Sequence, residues 1–240
     1  MQSKQKKTEI TVQHRGGNLT HVHPFYGPNN YLSLKTKVEA DNLTMATLPQ
    51  AASIIYDAYC LDQPNDFDQE IAKEIHGIMK NRWIYTASKS LWIPDQGVKV
   101  FPDNGLISLP DHLKNKIGEL TPNELEQMLE VLEQNPELVN SADFGYETEI
   151  LRSSLKLANN AYTKALAGEE GAERLGEVSD KHRVMKPYLG AYDNVKKPLV
   201  TVSRLGSFRN FDNRLVVSGF VHGDYWGSLA FGVHASDEVA

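Results

Sequence analysis

The chain has 240 residues, 40% hydrophobic and 23% charged, and its 25 basic against 31 acidic side chains leave a formal net charge of −6. This is ordinary globular usage in a length sufficient to bury a core without metals or disulfides, and it excludes global disorder. The acidic balance argues against broad binding to a nucleic-acid backbone, and the single cysteine, Cys60, excludes an internal disulfide and a thiolate metal cage.

Residues 1–8 carry Lys4, Lys6 and Lys7 but no apolar run behind them. They read as a flexible polar tail rather than a secretory signal. No stretch approaches the roughly 18 consecutive apolar residues of a membrane span, so a cytoplasmic location without a membrane partner is expected. On that basis the acceptor patterns Asn18-Leu19-Thr20 and Asn42-Leu43-Thr44 are chance matches.

From Glu9 to Gln13 apolar and polar residues alternate, which predicts a short strand. His14 to Pro28 holds Gly16, Gly17, Pro24, Gly27 and Pro28 and reads as loop. Tyr31 to Val38 alternates again and predicts a second strand. Thr47 followed by Gln50, with Pro49 between them, is a capping-box pattern. Leu48, Ala51, Ala52, Ile55, Ala58 and Tyr59 then recur at helical spacing up to Pro64. Asn65 or Asp66 caps a second helix whose apolar face is Phe67, Ile71, Ile75, Ile78 and Met79.

Trp83, Tyr85, Leu91, Trp92 and Ile93, then the turn Pro94-Asp95-Gln96-Gly97 and Val98 to Phe101, predict a β hairpin. Leu120-Thr121-Pro122-Asn123-Glu124-Leu125 combines a capping box, a proline in the first turn and a hydrophobic staple. It opens a helix that runs to Asn135-Pro136. A longer helix is predicted from about Phe144 to Ala167, stopped by Gly168, with a short helix over Ala172 to His182.

Beyond Pro198 the period becomes two. Leu199–Leu205, Arg214–Val221 and Trp226–Ala235 predict a three-stranded antiparallel meander with one core face. The expected architecture is α+β: residues 9–240 as a single domain, with a helical middle over about 47–182 and the meander over about 198–235. A mixed or mainly antiparallel sheet packs against a cluster of amphipathic helices.

Candidate chemistry is sparse. His21 and His23 place two imidazoles on one side of an extended segment, a pair suited to a divalent metal and found at the start of several metal-dependent hydrolase sites. The competing reading is a surface pair of histidines, since His76, His222, Asp224 and His234 lie in no second ligand motif. No other cofactor is expected. Val221-His222-Gly223-Asp224 resembles a small-molecule kinase loop, but no glycine-rich phosphate loop accompanies it and too little chain follows, so it reads as a turn. Cys60, beside Tyr59 and Leu61 at a helix end, reads as a packed thiol rather than a nucleophile. Gly168-Glu169-Glu170-Gly171 reads as an interhelical turn.

Arg204, Phe208, Arg209, Phe211, Arg214 and Trp226 interleave cations with aromatics, a composition that grips partners or stacks bases. With no catalytic constellation assembled, the sequence reads as a binding or interaction protein for a protein or small-molecule partner. Its surface is that arginine and aromatic segment. The alternatives are a metal-dependent hydrolase using His21 and His23, and a nucleic-acid-associated protein using the segment from Arg204 to Arg214, which the acidic total disfavours.

Overall fold

The computed structural model describes residues 7–62, 65–143, 149–181, 186–207 and 213–234. It opens on a hairpin. β1 (Thr8–His14) pairs antiparallel with β2 (Gly17–Asn29) through the two-residue turn Arg15-Gly16, whose φ values of 49° and 76° suit the twist of a tight hairpin. The strand over Glu9–Gln13 is present, but the loop expected from His14 to Pro28 is corrected to strand over most of its length.

Tyr31 to Val38, expected as strand, is instead helix α1 (Tyr31–Glu39). Its start is set by Asn30, whose side chain accepts a hydrogen bond from the Ser33 backbone N at 2.9 Å. Tyr31, Leu34 and Val38, spaced by three and four, are the buried face. Their helical spacing coexists with the alternation that suggested a strand, and the cap decides between them. The two-residue β3 (Thr44–Met45) follows.

α2 (Leu48–Cys60) and α3 (Asp66–Asn81) begin where the caps place them. Gln50 Oε1 accepts from Thr47 N at 2.7 Å, and Asn65 Oδ1 accepts from Asp68 N at 2.9 Å. β4 (Ile84–Ile93) and β5 (Gly97–Pro102) form the expected hairpin. After α4 (Asp111–Lys114) and β6 (Gly118–Glu119), Thr121 opens α5 (Pro122–Glu133), with Thr121 N donating to Glu124 Oε2 at 2.7 Å.

β7 (Asn140–Ala142) and β8 (Glu149–Ile150) are short. Of the single helix expected from Phe144 to Ala167, residues 144–148 lie outside the described residues, and the rest is corrected to β8, α6 (Ser154–Ala158) and the first half of α7 (Ala161–Asp180), with Asn160 accepting from Thr163 N at 3.0 Å between the two helices. Gly168 breaks the helical run as expected, and a second helical segment follows it within the range of α7. The residue adopts φ 70° and ψ 174°, a conformation open to glycine, and kinks α7, which continues to Asp180.

β9 (Tyr188–Gly190), β10 (Leu199–Gly206), β11 (Val216–Val221) and β12 (Ser228–Val233) complete one mixed sheet. Its order is β1-β2-β12-β4-β10-β11-β9-β8, with β3 on β12, β5 on β4, β7 on β5 and β6 on β10. The three-stranded meander is therefore corrected. β10 and β11 pair antiparallel, but β12 crosses to the far side of β4, which it meets in parallel, and pairs antiparallel with β2. A period of two marks a strand without naming its neighbours, and here β12 fills the gap between the edges of β2 and β4. Pro24 and Pro28 lie in the stretches where β2 and β12 lose register, where a proline costs the ladder least.

The sheet is covered on both sides, so the single core face expected for the last strand is also corrected. Phe231 and Val233 join Trp92, Val100 and Val217 beneath α2, α3 and α7, whereas Ala230 joins Val22, Tyr85 and Val202 beneath α1. A third cluster packs Leu91, Ile93 and Phe101 against Leu113 of α4 and Met128 and Leu132 of α5.

The central strand β4 is buried at every position, polar ones included. Lys89, with no exposed surface, places Nζ 3.1 Å from Asp103 Oδ2 and donates to the Lys114 carbonyl at 2.7 Å. Asp103 also takes Lys35 Nζ at 2.8 Å and the Tyr31 hydroxyl at 2.7 Å. Burial lowers the Lys89 pKa, opposed by the Asp103 charge and reinforced by Lys35. This triad ties α1 to the sheet, as buried charges persist only when paired and hydrogen-bonded.

Candidate binding surface around Arg204 and Trp226

β10 carries Arg204 opposite Tyr85 of β4, in register, on the face that α1 covers. The side chain lays its guanidinium carbon 3.7 Å from the ring centre of Trp83, the residue just before β4. Such a stack orients the guanidinium plane and holds it at low entropy cost. Arg204 Nε is buried and hydrogen-bonds to no described residue. Burial lowers the guanidinium pKa, opposed by Tyr85, Tyr225 and Asp224. Burial correspondingly raises the Tyr85 phenol, with Arg204 opposing.

The connection from β11 to β12 delivers the next pair of aromatics. Gly223, at φ 78°, turns the chain where a Cβ would lie 3.1 Å from both Tyr31 and Ile117. Its carbonyl accepts from Tyr31 N at 2.9 Å, and beyond it Leu229 N donates to the Trp83 carbonyl at 2.8 Å. Between these anchors Tyr225 and Trp226 stand 46% and 67% exposed. The Tyr225 ring lies over Gly227, where a Cβ would sit 2.5 Å from it. A large exposed aromatic pair on an anchored turn is the unusual observation here, because scattered exposed leucines are normal.

The sequence named Arg204 and Trp226 for this surface, and both lie on elements meeting at the start of β4. Arg214 is half-buried ahead of β11. Phe208, Arg209 and Phe211 lie outside the described residues. Trp83 and Tyr85, read from sequence as hairpin residues, are buried, and they also back Arg204. No local signal joins them, since β4 and β10 are brought together by the sheet alone. Trp92, by contrast, is core, donating from Nε1 to Thr201 Oγ1 at 2.9 Å.

The histidine pair sits on the α3 side of β2. His21 is fully buried, edge-on to Phe231 at 5.8 Å, and His23 Nε2 lies 2.9 Å from Glu74 Oε2. His76 Nε2 meets the Ala58 carbonyl, and His234 pairs with Glu9. Among the described residues no group of three or more His, Cys, Asp or Glu side chains could hold a metal ion. Cys60 is half-buried, and burial above all, with Glu177 and Asp180, pushes its thiol up to about 11 against the pull of Lys181. It therefore stays protonated near neutrality, which suits packing better than nucleophilic attack.

No family model matches the chain, and no curated protein matches it. A solved structure is similar throughout: it aligns over 96% of this chain and 99% of its own, with a TM-score of 0.54 and 13% sequence identity, and it is described as accommodating massive sequence variation in Nanoarchaeota by the C-type lectin fold. The fold resembles the C-type lectin fold. At this identity the likeness concerns architecture alone, and that architecture is α+β, as the sequence reading had it. Among the described residues, no helix is long and apolar enough to cross a membrane.

Proposed function

We propose that this chain is a non-catalytic binding protein that engages a protein partner through the Tyr225-Trp226 turn and the adjoining Arg204–Trp83 stack. The observation that carries this reading is the exposure of two consecutive large aromatics, Tyr225 and Trp226, on a connection anchored at both ends. Tyr, Trp and Arg dominate the energetically decisive positions of protein interfaces. Rigid aromatics offer large contact area with little conformational entropy to lose. The guanidinium beside them, already oriented by Trp83, supplies charge and direction at small further cost.

The similar solved structure adds support of a different kind. It is described as a fold that accommodates massive sequence variation. A lectin-like scaffold suits a binding role in which exposed connections carry the specificity and the two-sided core carries the stability.

The test compares the wild-type chain with a Tyr225→Ser, Trp226→Ser double variant, each immobilised and exposed to the same mixture of native proteins. Proteins retained by the wild type and lost by the variant, with unchanged thermal unfolding of the two, agree with the reading. Identical retained sets sink it.

A further inference from the structure

A second site, sharing no residue with the surface above, lies where the β1–β2 turn, the start of α2, the end of β5 and the kink of α7 converge. The cavity there has a volume of about 120 Å³, roughly ten times the space that one ordered water needs. We propose that it binds a small carboxylate of α-amino-acid type.

Two buried donors line it. Gln50 is 4% exposed, and its Oε1 is occupied, accepting from Thr47 N at 2.7 Å and Thr47 Oγ1 at 3.0 Å. This fixes which end of the amide is oxygen. It leaves Nε2, with two N–H groups and no acceptor among the described residues, on a residue that lines the cavity. Ser88 is 3% exposed and accepts from Leu48 N at 2.9 Å, while its own hydroxyl proton has no acceptor among the described residues. A bound acceptor would satisfy both donor ends. Arg15, at the hairpin turn, brings the matching charge. Its backbone N donates to Glu170 Oε2 at 3.0 Å, and its guanidinium forms no ion pair among the described residues. Two neutral donors and a guanidinium constitute a carboxylate-binding set.

The remaining lining is complementary. His14 Nδ1 lies 2.8 Å from Ser53 Oγ. That hydroxyl gives its own proton to the Pro49 carbonyl at 3.1 Å and receives Arg174 Nη1. His14 must then be the donor at Nδ1, so its Nε2 carries a lone pair. Burial first, with Arg15 and Arg174, lowers the His14 pKa to about 4, so the ring is neutral near pH 7. Glu137, exposed and with no ion pair among the described residues, also lines the cavity. A lone pair and a carboxylate lining the same cavity as the donor set fit an ammonium group borne on the same small molecule.

The test uses the full chain, titrating glycine, L-alanine, acetate and methylamine while following the Gln50 side-chain amide resonances. Saturable shifts are expected with glycine or L-alanine, with acetate at least tenfold weaker and methylamine silent. Two variants separate binding from folding. Arg15→Gln alters an exposed side chain. Gln50→Glu keeps the acceptor for Thr47 N but turns the donor end into an anion. Each is expected to weaken amino-acid binding at least tenfold with an unchanged unfolding midpoint, read for Gln50→Glu by calorimetry. Absence of saturation with every probe overturns the site, as does wild-type affinity retained in both variants. Acetate binding as tightly as L-alanine overturns the amino-acid assignment.

Discussion

Arg204 and Trp83 stack at 3.7 Å across the junction of β10 and β4, burying the guanidinium against an indole just outside the central strand. This contact belongs both to the sheet and to the surface proposed to bind a partner. Arg204→Lys keeps the charge but loses the planar face, and urea unfolding should show a loss of about 1 kcal/mol. A change within measurement error would mean that the stack contributes no stability.

Trp226 is expected to behave in the opposite way. With two-thirds of it exposed, Trp226→Ser should shift stability by no more than about 0.5 kcal/mol. Its removal should cost a captured partner about 2 kcal/mol or more in affinity. A large drop in the unfolding midpoint would show that the ring is a packing residue instead.

The Lys89–Asp103 pair makes a sharper stability prediction. Asp103→Ala leaves Lys89 and Lys35 facing one another without their shared carboxylate. That should cost about 3–5 kcal/mol. Lys89→Met leaves Asp103 still held by Lys35 and the Tyr31 hydroxyl, so it should cost at most about 1–2 kcal/mol. Equal losses in the two variants, measured by equilibrium denaturation, would contradict this ordering.

His14 imposes a pH dependence whose sign follows from its depressed pKa. The folded value of about 4 lies below the ordinary 6.5. Between these values the unfolded chain therefore binds more protons, and folding weakens as pH falls. Stability from this group is complete above about 6.5 and is lost progressively down to about 4. Thermal unfolding scans across that window should show a shallower slope for His14→Gln than for the wild type, and parallel slopes would remove His14 from the account.

Gly168 tests the kink in α7. At φ 70° and ψ 174° a side chain is strained, so Gly168→Ala should cost about 1–3 kcal/mol even though a Cβ there would meet only the Arg15 side chain, at 3.5 Å. A neutral result would mean that α7 can straighten without loss.

Features that depend on neighbours along the chain were legible in the amino-acid order. Thr47 with Gln50, Asn65 and Thr121 with Glu124 mark helix starts because a cap closes hydrogen bonds within four residues. The hairpin of β4 and β5 and the individual late strands were legible for the same reason. Residues Tyr31 to Val38 show the limit: apolar positions there fit both periods, and only the Asn30 cap and the packing of Tyr31, Leu34 and Val38 choose helix. The remaining features depend on contacts between distant segments. Burial on both faces lets β4 hold Ser88 and Lys89, whose partners come from other elements. Pairing of β12 with β2 rather than β11 is a choice between sheet edges that alternation cannot encode. Arg204 and Trp226 were visible as residue types, but Trp83 beside them was not, and neither was the convergence of Arg15, Gln50, Ser88 and Glu137 on one cavity. Both arise where strands and helices distant in sequence are brought together to bury apolar surface, and the chemistry of each site is a consequence of that packing.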